Sequence, residues 1–252
     1  EDIPARYRAS GWDVFDCDGH DHADIERALK LAAASDKPTL VACRTLIGKG
    51  APNKQGGHDV HGAPLGADEI AAAREYLGWT AAPFEIPADI LADWRSLGAA
   101  GAKARGEWEA RLAASPNAAE FTRRMAGELP DGEPIRKALA EWVAGDATVA
   151  TRKASENWLN VLAPAIPEMV GGSADLTGSN NTKAKCQAPF TAEDYSGRYV
   201  YYGIREFGMA AAMNGMALHG GVLPYGGTFM VFSDYCRNAI RLSAIQQARV
   251  VY

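Results

Sequence analysis

Residues 12–43, WDVFDCDGHDHADIERALKLAAASDKPTLVAC, decide the fold class. Trp12 to Asp16 reads as a short strand. Ile25, Ala28, Leu29 and Ala32 then recur at i, i+3, i+4 and i+7, the spacing that gives a helix one apolar face. Asp36-Lys37-Pro38 breaks the helix, and Thr39 to Cys43 is a strand of the buried type found in parallel sheets. Strand, helix, strand is a βαβ unit, and its crossover requires the two strands to be parallel. The expected class is therefore α/β, with parallel sheets and flanking helices.

Outward from this unit, residues 48–66 are rich in Gly and Pro, carry two histidines and read as a loop. The loop follows a strand's carboxyl end, where α/β sheets bind ligands. Residues 67–77 read as a helix. Ile90, Trp94, Leu97, Gly101, Ala104 and Trp108 recur at threes and fours, giving one long helix with a narrow apolar stripe. Helical stretches continue to about residue 144, interrupted at Leu129-Pro130-Asp131-Gly132. This zone is expected to be a helical arm joining two partial domains, with a boundary between residues 110 and 148. The division adopted is 1–115 and 116–252.

The second half is α/β again. Helices are expected over Thr151–Leu162, Arg205–Leu218 and Phe232–Ile245. Strands are expected over Glu168–Ser173 and Tyr199–Tyr202, with a short extended piece at Val222–Tyr225. Val250-Val251 reads as a further strand that stops at its middle, and residue 1 is Glu rather than Met. The expectation is a segment of a longer protein. The alternative is a short subunit whose partner chains supply the rest.

Composition narrows the function classes. The chain has 252 residues, 47% of them apolar and 23% charged, with a net charge of −5. That profile excludes wholesale disorder, collagen and a small disulfide scaffold. The acidic excess argues against nucleic acid or a membrane surface as partner. No run reaches the ~18 apolar residues of a membrane span. Cys17, Cys43, Cys186 and Cys236 lie far apart with no CxxC pair, which suits reduced thiols in the cytoplasm.

Five clusters could carry chemistry. Cys17-Asp18-Gly19-His20-Asp21-His22 has metal-ligating side chains but no known zinc spacing. Asp21 stands at a helix start, where it caps free N–H groups. Gly56 to Pro64 sets His58 and His61 on a glycine-rich loop, where imidazoles can meet phosphate, act as acid or base, or simply be solvated. Gly171 to Asn181 offers small polar donors suited to phosphate or sugar hydroxyls, as many surface loops do. Gly203 to Met209 places Glu206 between a strand and a helix, either as a functional carboxylate or as a charge complementing the helix dipole. Phe229, Phe232 and Tyr235, spaced by three, form one aromatic face, either core packing or a platform for a flat ring.

In order and spacing, His58–Leu65, Ala150–Glu156, Gly171–Asn180, Gly203–Met209 and Tyr225–Tyr235 together resemble the transketolase family over nearly the whole chain. Dihydroxyacetone synthase is a close alternative. Deoxyxylulose-phosphate synthase shares fold and cofactor but differs in its glutamate motif. A non-catalytic fragment or subunit is the third reading. The resemblance implies the thiamin-diphosphate-binding fold, three α/β domains per subunit and a homodimer with the active site at the subunit interface. This chain would hold the end of the pyrophosphate-binding domain and most of the pyrimidine-binding domain.

The implied activity is reversible transfer of a two-carbon ketol unit between sugar phosphates, as in the pentose phosphate pathway. The implied cofactors are thiamine diphosphate and Mg²⁺, the metal loop lying outside these residues. Glu206 would be the catalytic carboxyl that meets the aminopyrimidine ring nitrogen and holds a proton there, which needs an apolar, stacked setting. Phe229, Phe232 and Tyr235 would form the aromatic pocket, with Phe232 stacking on the pyrimidine. His61 would contact cofactor diphosphate and substrate, and would share in catalysis. Ile47 would be an apolar wall, and Asp175 would stand near the thiazolium. Arg152 and Ser179 would hold the sugar phosphate, Arg as a permanently charged clamp. Phe207 stands where many members carry His.

Overall fold

Asp13–Asp18 (β1) and Thr39–Arg44 (β2) pair in parallel, from Asp13↔Thr39 to Asp18↔Arg44. The computed structural model describes residues 1–145 and 148–252. Chain contacts divide it into Glu1–Ala99 and Ala100–Tyr252. Residues 146 and 147, inside the expected boundary zone, lie outside the described residues.

In the first unit a short helix, Ile3–Ala9 (α1), precedes β1; sequence periodicity gave no sign of it. Asp2 caps it by accepting from the Ala5 amide, and Pro4 opens its first turn. The crossover helix is His22–Ala34 (α2), capped by Asp21 through the Ala23 amide at 2.9 Å. That bond is the capping role expected of Asp21. The pairing continues past the strands: Gly19 N–H donates to Arg44 O at 2.8 Å, and Leu46 N–H donates to His20 Nε2 at 2.6 Å. A Cβ on Gly19 would stand 2.5 Å from Thr45 Cγ2, so only glycine allows this approach. The following loop leads to Ala67–Tyr76 (α3). There the buried Glu69 accepts from both the backbone and side-chain nitrogens of Asn53, each at 2.9 Å, fixing the loop to the helix.

The long helix is Ala88–Ala113 (α4). Its stripe stays largely in solvent, with Trp94 70% and Leu97 69% exposed. Ala118–Met125 (α5) and Glu133–Ala144 (α6) follow, separated at Leu129–Gly132 as the sequence indicates.

The second unit is built on a parallel sheet. After Thr151–Ala165 (α7) come Met169–Ser173 (β3), a four-residue helix Thr177–Asn180 (α8), Tyr199–Tyr201 (β4), Glu206–His219 (α9), Leu223–Pro224 (β5) and Ser233–Ile245 (α10). The strand order is β4-β3-β5, and Val251 bridges in parallel to Tyr225 beyond β5. Phe232, expected to open the last helix, instead closes a 3₁₀ turn, Met230–Phe232, just before it. The core is made of small clusters. Leu159, Ala163 and Ile166 from α7 and its end pack with Met169, Ala184 and Tyr225. Ala174 packs with Met209 and Met213, and Ala210 packs with Cys236 and Ala239.

One ion network ties α5 to the start of β3. Arg123 grips the buried Glu168 with two bonds, 2.8 and 3.0 Å, and Glu120 with two more, 2.8 and 2.9 Å. Burial, the largest single effect, pushes the Glu168 carboxyl up, but the Arg123 hydrogen bonds, a backbone hydrogen bond and the charges of Arg123 and Arg124 together outweigh it, and the net direction is down. Hydrogen bonds from Arg123 and then Arg124 hold Glu120 down at about 2.

Arg123→Ala strands the Glu168 carboxylate. Denaturant unfolding is expected to show a loss of about 3–5 kcal/mol, the cost of removing one partner of a buried pair, with Arg123→Lys between variant and wild type. Both carboxyls are depressed, so the network's contribution is full above their ordinary 4.5 and fades as pH falls toward about 2. Equal stability of variant and wild type at neutral pH would contradict this role.

Candidate functional site

In the second unit, parallel strands gather their carboxyl ends at one edge, and seven of the nine site residues expected from sequence stand there. Asp175 and Ser179 follow β3, Glu206 follows β4, and Phe229 and Phe232 follow β5 with Tyr235 in the next helix turn. Arg152 joins them because α7 runs back against β3, placing its first turn at the carboxyl edge.

The loop after β3 is held open by its backbone. Asp175, exposed, takes φ +61, and Asn181 takes φ +56, both left-handed. Short polar side chains tolerate that region better than other non-glycine residues. Ser173 anchors the loop: its Oγ donates to Gly227 O at 2.8 Å and accepts from Leu176 N and Asn180 Nδ2, each at 3.3 Å. Arg152 Nη1 donates to the backbone oxygen of Ser179 at 3.2 Å. Two residues 27 apart in sequence are thereby brought together, leaving the rest of an exposed guanidinium free among the described residues.

Glu206 is the first residue of α9 and is half-buried. Its carboxylate has no hydrogen-bond or ion-pair partner among the described residues. The helix's free N–H groups and dipole favour negative charge there. Beneath it α9 packs on α10 through Ala210, Cys236 and Ala239, each at most 1% exposed. Burial pushes the Cys236 thiol up, and the Glu206 carboxylate adds in the same direction, so the two groups are close.

The aromatic row continues from here. Phe229 and Phe232 have ring centroids 5.5 Å apart, and Phe232 and Tyr235 5.7 Å, tilted at 45° and 52°. None belongs to a buried cluster; Phe229 is 40% and Tyr235 65% exposed. Between row and sheet, Thr228 Oγ1 is buried with no hydrogen-bond partner. No local motif marks Ser173 or Thr228, because only the meeting of β3 with β5 makes one an anchor and the other an orphan.

In the first unit, Ile47 and His61 flank one contact. A Cβ on Gly48 would stand 3.0 Å from Val60 Cγ2, so the chain neighbours of these two residues meet at the loop's neck. Gly56 N–H donates to Ile47 O at 2.8 Å, closing the loop. His61 is exposed, and its amide donates to His58 O at 3.0 Å to finish the 3₁₀ turn His58–Val60. His58 Nε2 lies 3.2 Å from Asp59 Oδ1.

The second unit's site is a carboxylate without a partner among the described residues, two exposed rings with the half-buried Phe232 between them, and a cation bonded to the Ser179 carbonyl. It fits a flat nitrogen heterocycle and a phosphorylated ligand. No group of three or more His, Cys, Asp or Glu among the described residues is placed to hold a metal ion.

Comparison with known proteins gives the same picture. Residues 1–130 match the family described as "Transketolase, thiamine diphosphate binding domain", and residues 147–252 match "Transketolase, pyrimidine binding domain". A transketolase from Cereibacter sphaeroides is 55% identical over 252 residues, covering 100% of this chain and 38% of the relative. The chromosomal transketolase of Cupriavidus necator is 55% identical over 261 residues, covering 100% and 39%. Among solved structures, transketolase from Leishmania mexicana superposes with a TM-score of 0.86 at 38% identity, covering 100% of this chain and 38% of that one. Transketolase from Pichia stipitis in complex with sedoheptulose 7-phosphate superposes with a TM-score of 0.86 at 40% identity, covering 99% and 39%. The chain thus spans about 38% of the length of the first of these curated relatives. With both of its halves matched and more than half of the aligned residues identical in these bacterial relatives, the chain belongs to the transketolase family.

Proposed function

We propose that the protein carrying this chain is a cytoplasmic transketolase that moves a two-carbon ketol unit from a ketose phosphate to an aldose phosphate. The observation that carries the reading is Glu206: a half-buried carboxylate without a partner among the described residues, at a helix start, on the same sheet edge as the aromatic row of Phe229, Phe232 and Tyr235. A carboxylate kept free of cations in such a place is available to a ligand's ring nitrogen.

Thiamine diphosphate, when bound, supplies the electron sink for breaking and forming the bond beside the ketose carbonyl. This chain's residues bind, orient and handle protons. Glu206 holds a proton between its carboxyl oxygen and the pyrimidine ring nitrogen. Phe229, Phe232 and Tyr235 clasp that ring and exclude water from the carboxyl, Phe232 by stacking. Asp175 would stand by the thiazolium, and Ile47 would form an apolar wall beside the cofactor. His61 binds the diphosphate and the substrate. Arg152 and Ser179 fix the sugar phosphate, a charge-assisted clamp plus a hydroxyl. Mg²⁺ would be held by a Gly-Asp-Gly…Asn loop that these 252 residues do not contain. Residues 1–115 would close the pyrophosphate-binding domain and open the linker, and 116–252 would hold the linker's end and the pyrimidine-binding domain.

The active protein is proposed to be a homodimer in which His61 and Glu206 of one chain serve different sites, working in the pentose phosphate pathway.

Glu206→Gln in the complete dimer is expected to abolish ketol transfer from xylulose 5-phosphate while leaving unfolding nearly unchanged. A retained rate would refute the role. Formaldehyde as acceptor and pyruvate as donor are controls that separate dihydroxyacetone synthase and deoxyxylulose-phosphate synthase chemistry from this reading.

Arg152→Ala is expected to raise KM for sugar phosphates by roughly 10- to 100-fold, with a smaller change in kcat, as lost ground-state binding does. Arg152→Lys should recover part of it. An unchanged KM for phosphorylated sugars would remove Arg152 from the phosphate site.

Mixing Glu206→Gln subunits with His61→Ala subunits should restore activity in the heterodimer, at one of its two sites. Steady-state assay of the purified heterodimer reads this directly. No recovery would mean that both residues serve the same site.

A further inference from the structure

The four cysteines are free thiols, but two are not isolated. Cys17 in β1 and Cys43 in β2 are register partners, and their sulfurs lie 3.5 Å apart. We propose that Cys17 and Cys43 form a reversible dithiol–disulfide pair, a modification site for small disulfides of the glutathione type.

The geometry suits a bridge. Partner residues on parallel strands point to the same face, and adjacent strands run about 4.8 Å apart, inside the Cα separation of about 4.4–6.8 Å that disulfides span. The sulfurs are already in van der Waals contact. Reaching a bonded distance of about 2.05 Å needs a shift of roughly 1.5 Å, which a side-chain rotation of an exposed cysteine can provide. The Cys17 thiol is directed at Cys43 Sγ, and the Cys43 thiol at Val41 O, 3.8 Å away.

The pair is asymmetric, and this fixes the order of events. Both cysteines line one open cavity of about 900 Å³ together with Asp18, His20, Arg44 and Leu46, but Cys17 is only 6% exposed whereas Cys43 is exposed. Burial pushes the Cys17 thiol up, and the Cys43 sulfur and the Asp24 carboxylate add to it. Cys43 therefore reacts first. Its thiolate attacks one sulfur of the oxidant RSSR, and the first RS⁻ leaves with the pair of electrons from the broken S–S bond. Cys17, losing its proton to solvent, attacks Cys43 Sγ and expels the second RS⁻. The protein pair is oxidised by two electrons and one RSSR is reduced. The two protons given up by the cysteines are taken by the two RS⁻, yielding two RSH.

This inference stands on sheet register and does not depend on ketol transfer. The complete native protein is incubated with oxidised glutathione, its remaining thiols are alkylated, and peptides are mapped by mass. The expected product is a Cys17–Cys43 linked peptide, lighter than the reduced pair by two hydrogens and reopened by dithiothreitol. Cys17→Ser should instead trap Cys43 as a lasting glutathione adduct, and Cys43→Ser should leave Cys17 reduced. Full alkylation of both cysteines after oxidation, a wild-type Cys43 that stops at the adduct, or a link from Cys43 to Cys186 or Cys236 would each overturn the proposal.

Discussion

Gly171 and Gly172 occupy the middle strand of the second sheet, between two tyrosines brought in by its neighbours. A Cβ on Gly171 would lie 2.1 Å from the Tyr225 ring, and one on Gly172 would lie 2.3 Å from the Tyr202 ring and 2.7 Å from Val200 O. Any side chain there must displace a ring or a strand. Because both are absent, Tyr225 can cross β3 and bridge Gln187 Oε1 at 2.6 Å and Thr182 O at 3.0 Å with its hydroxyl. The same ring closes the cluster of Leu159, Ala163 and Ile166. The next residue, Ser173, then binds the loop after β3 to the chain leaving β5. Core packing and loop spacing are thus set by three consecutive residues, and Asp175, Ser179 and Phe229 inherit their positions from them.

The two edges of this sheet treat carboxylates in opposite ways. At the amino edge Glu168 is 5% exposed and held by two bonds from Arg123, which answers the penalty of burying charge. At the carboxyl edge Glu206 has a helix start to favour its charge but no cation to occupy its oxygens. Ala210, Cys236 and Ala239 close the α9–α10 contact one turn on, and the one donor among them, the Cys236 thiol, is directed at Ser233 O. A carboxylate that served stability alone would be expected to resemble Glu168. Glu206 keeps its acceptor capacity unspent, and the exposed rings of Phe229 and Tyr235 keep apolar surface in solvent at the same edge.

Local periodicity carried much of the fold. The i, i+3, i+4 pattern of α2 and the buried-type run of β2 were enough for the βαβ unit, and the gap at Leu129–Gly132 marked the break between α5 and α6. The stripe of α4 was legible as a helix face, although periodicity alone does not say whether a stripe is covered, and Trp94 and Leu97 remain exposed. The helices that escaped are short. α1 has seven residues and no stripe, yet the Asp2 cap and Pro4 were signals that could have been read. α8 has four residues inside a Gly-, Ser- and Asn-rich loop, where no pattern has room to repeat.

Contacts made by strand register are a different matter. Ser173 meets Gly227 across 54 residues, and Cys17 meets Cys43 across 26. Parallel strands need a crossover between them, so paired residues are separated by a helix and two loops whose lengths no local motif encodes. Counting cysteine spacings therefore looks in the wrong place, since it finds CxxC pairs and misses ladder partners. Within one βαβ unit, however, the offset is constant along the ladder: Asp13 pairs with Thr39 and Cys17 with Cys43 at the same interval of 26. One anchored pair predicts all the others. The first sheet's thiol pair was in this sense present in the sequence, one register assignment away from being legible.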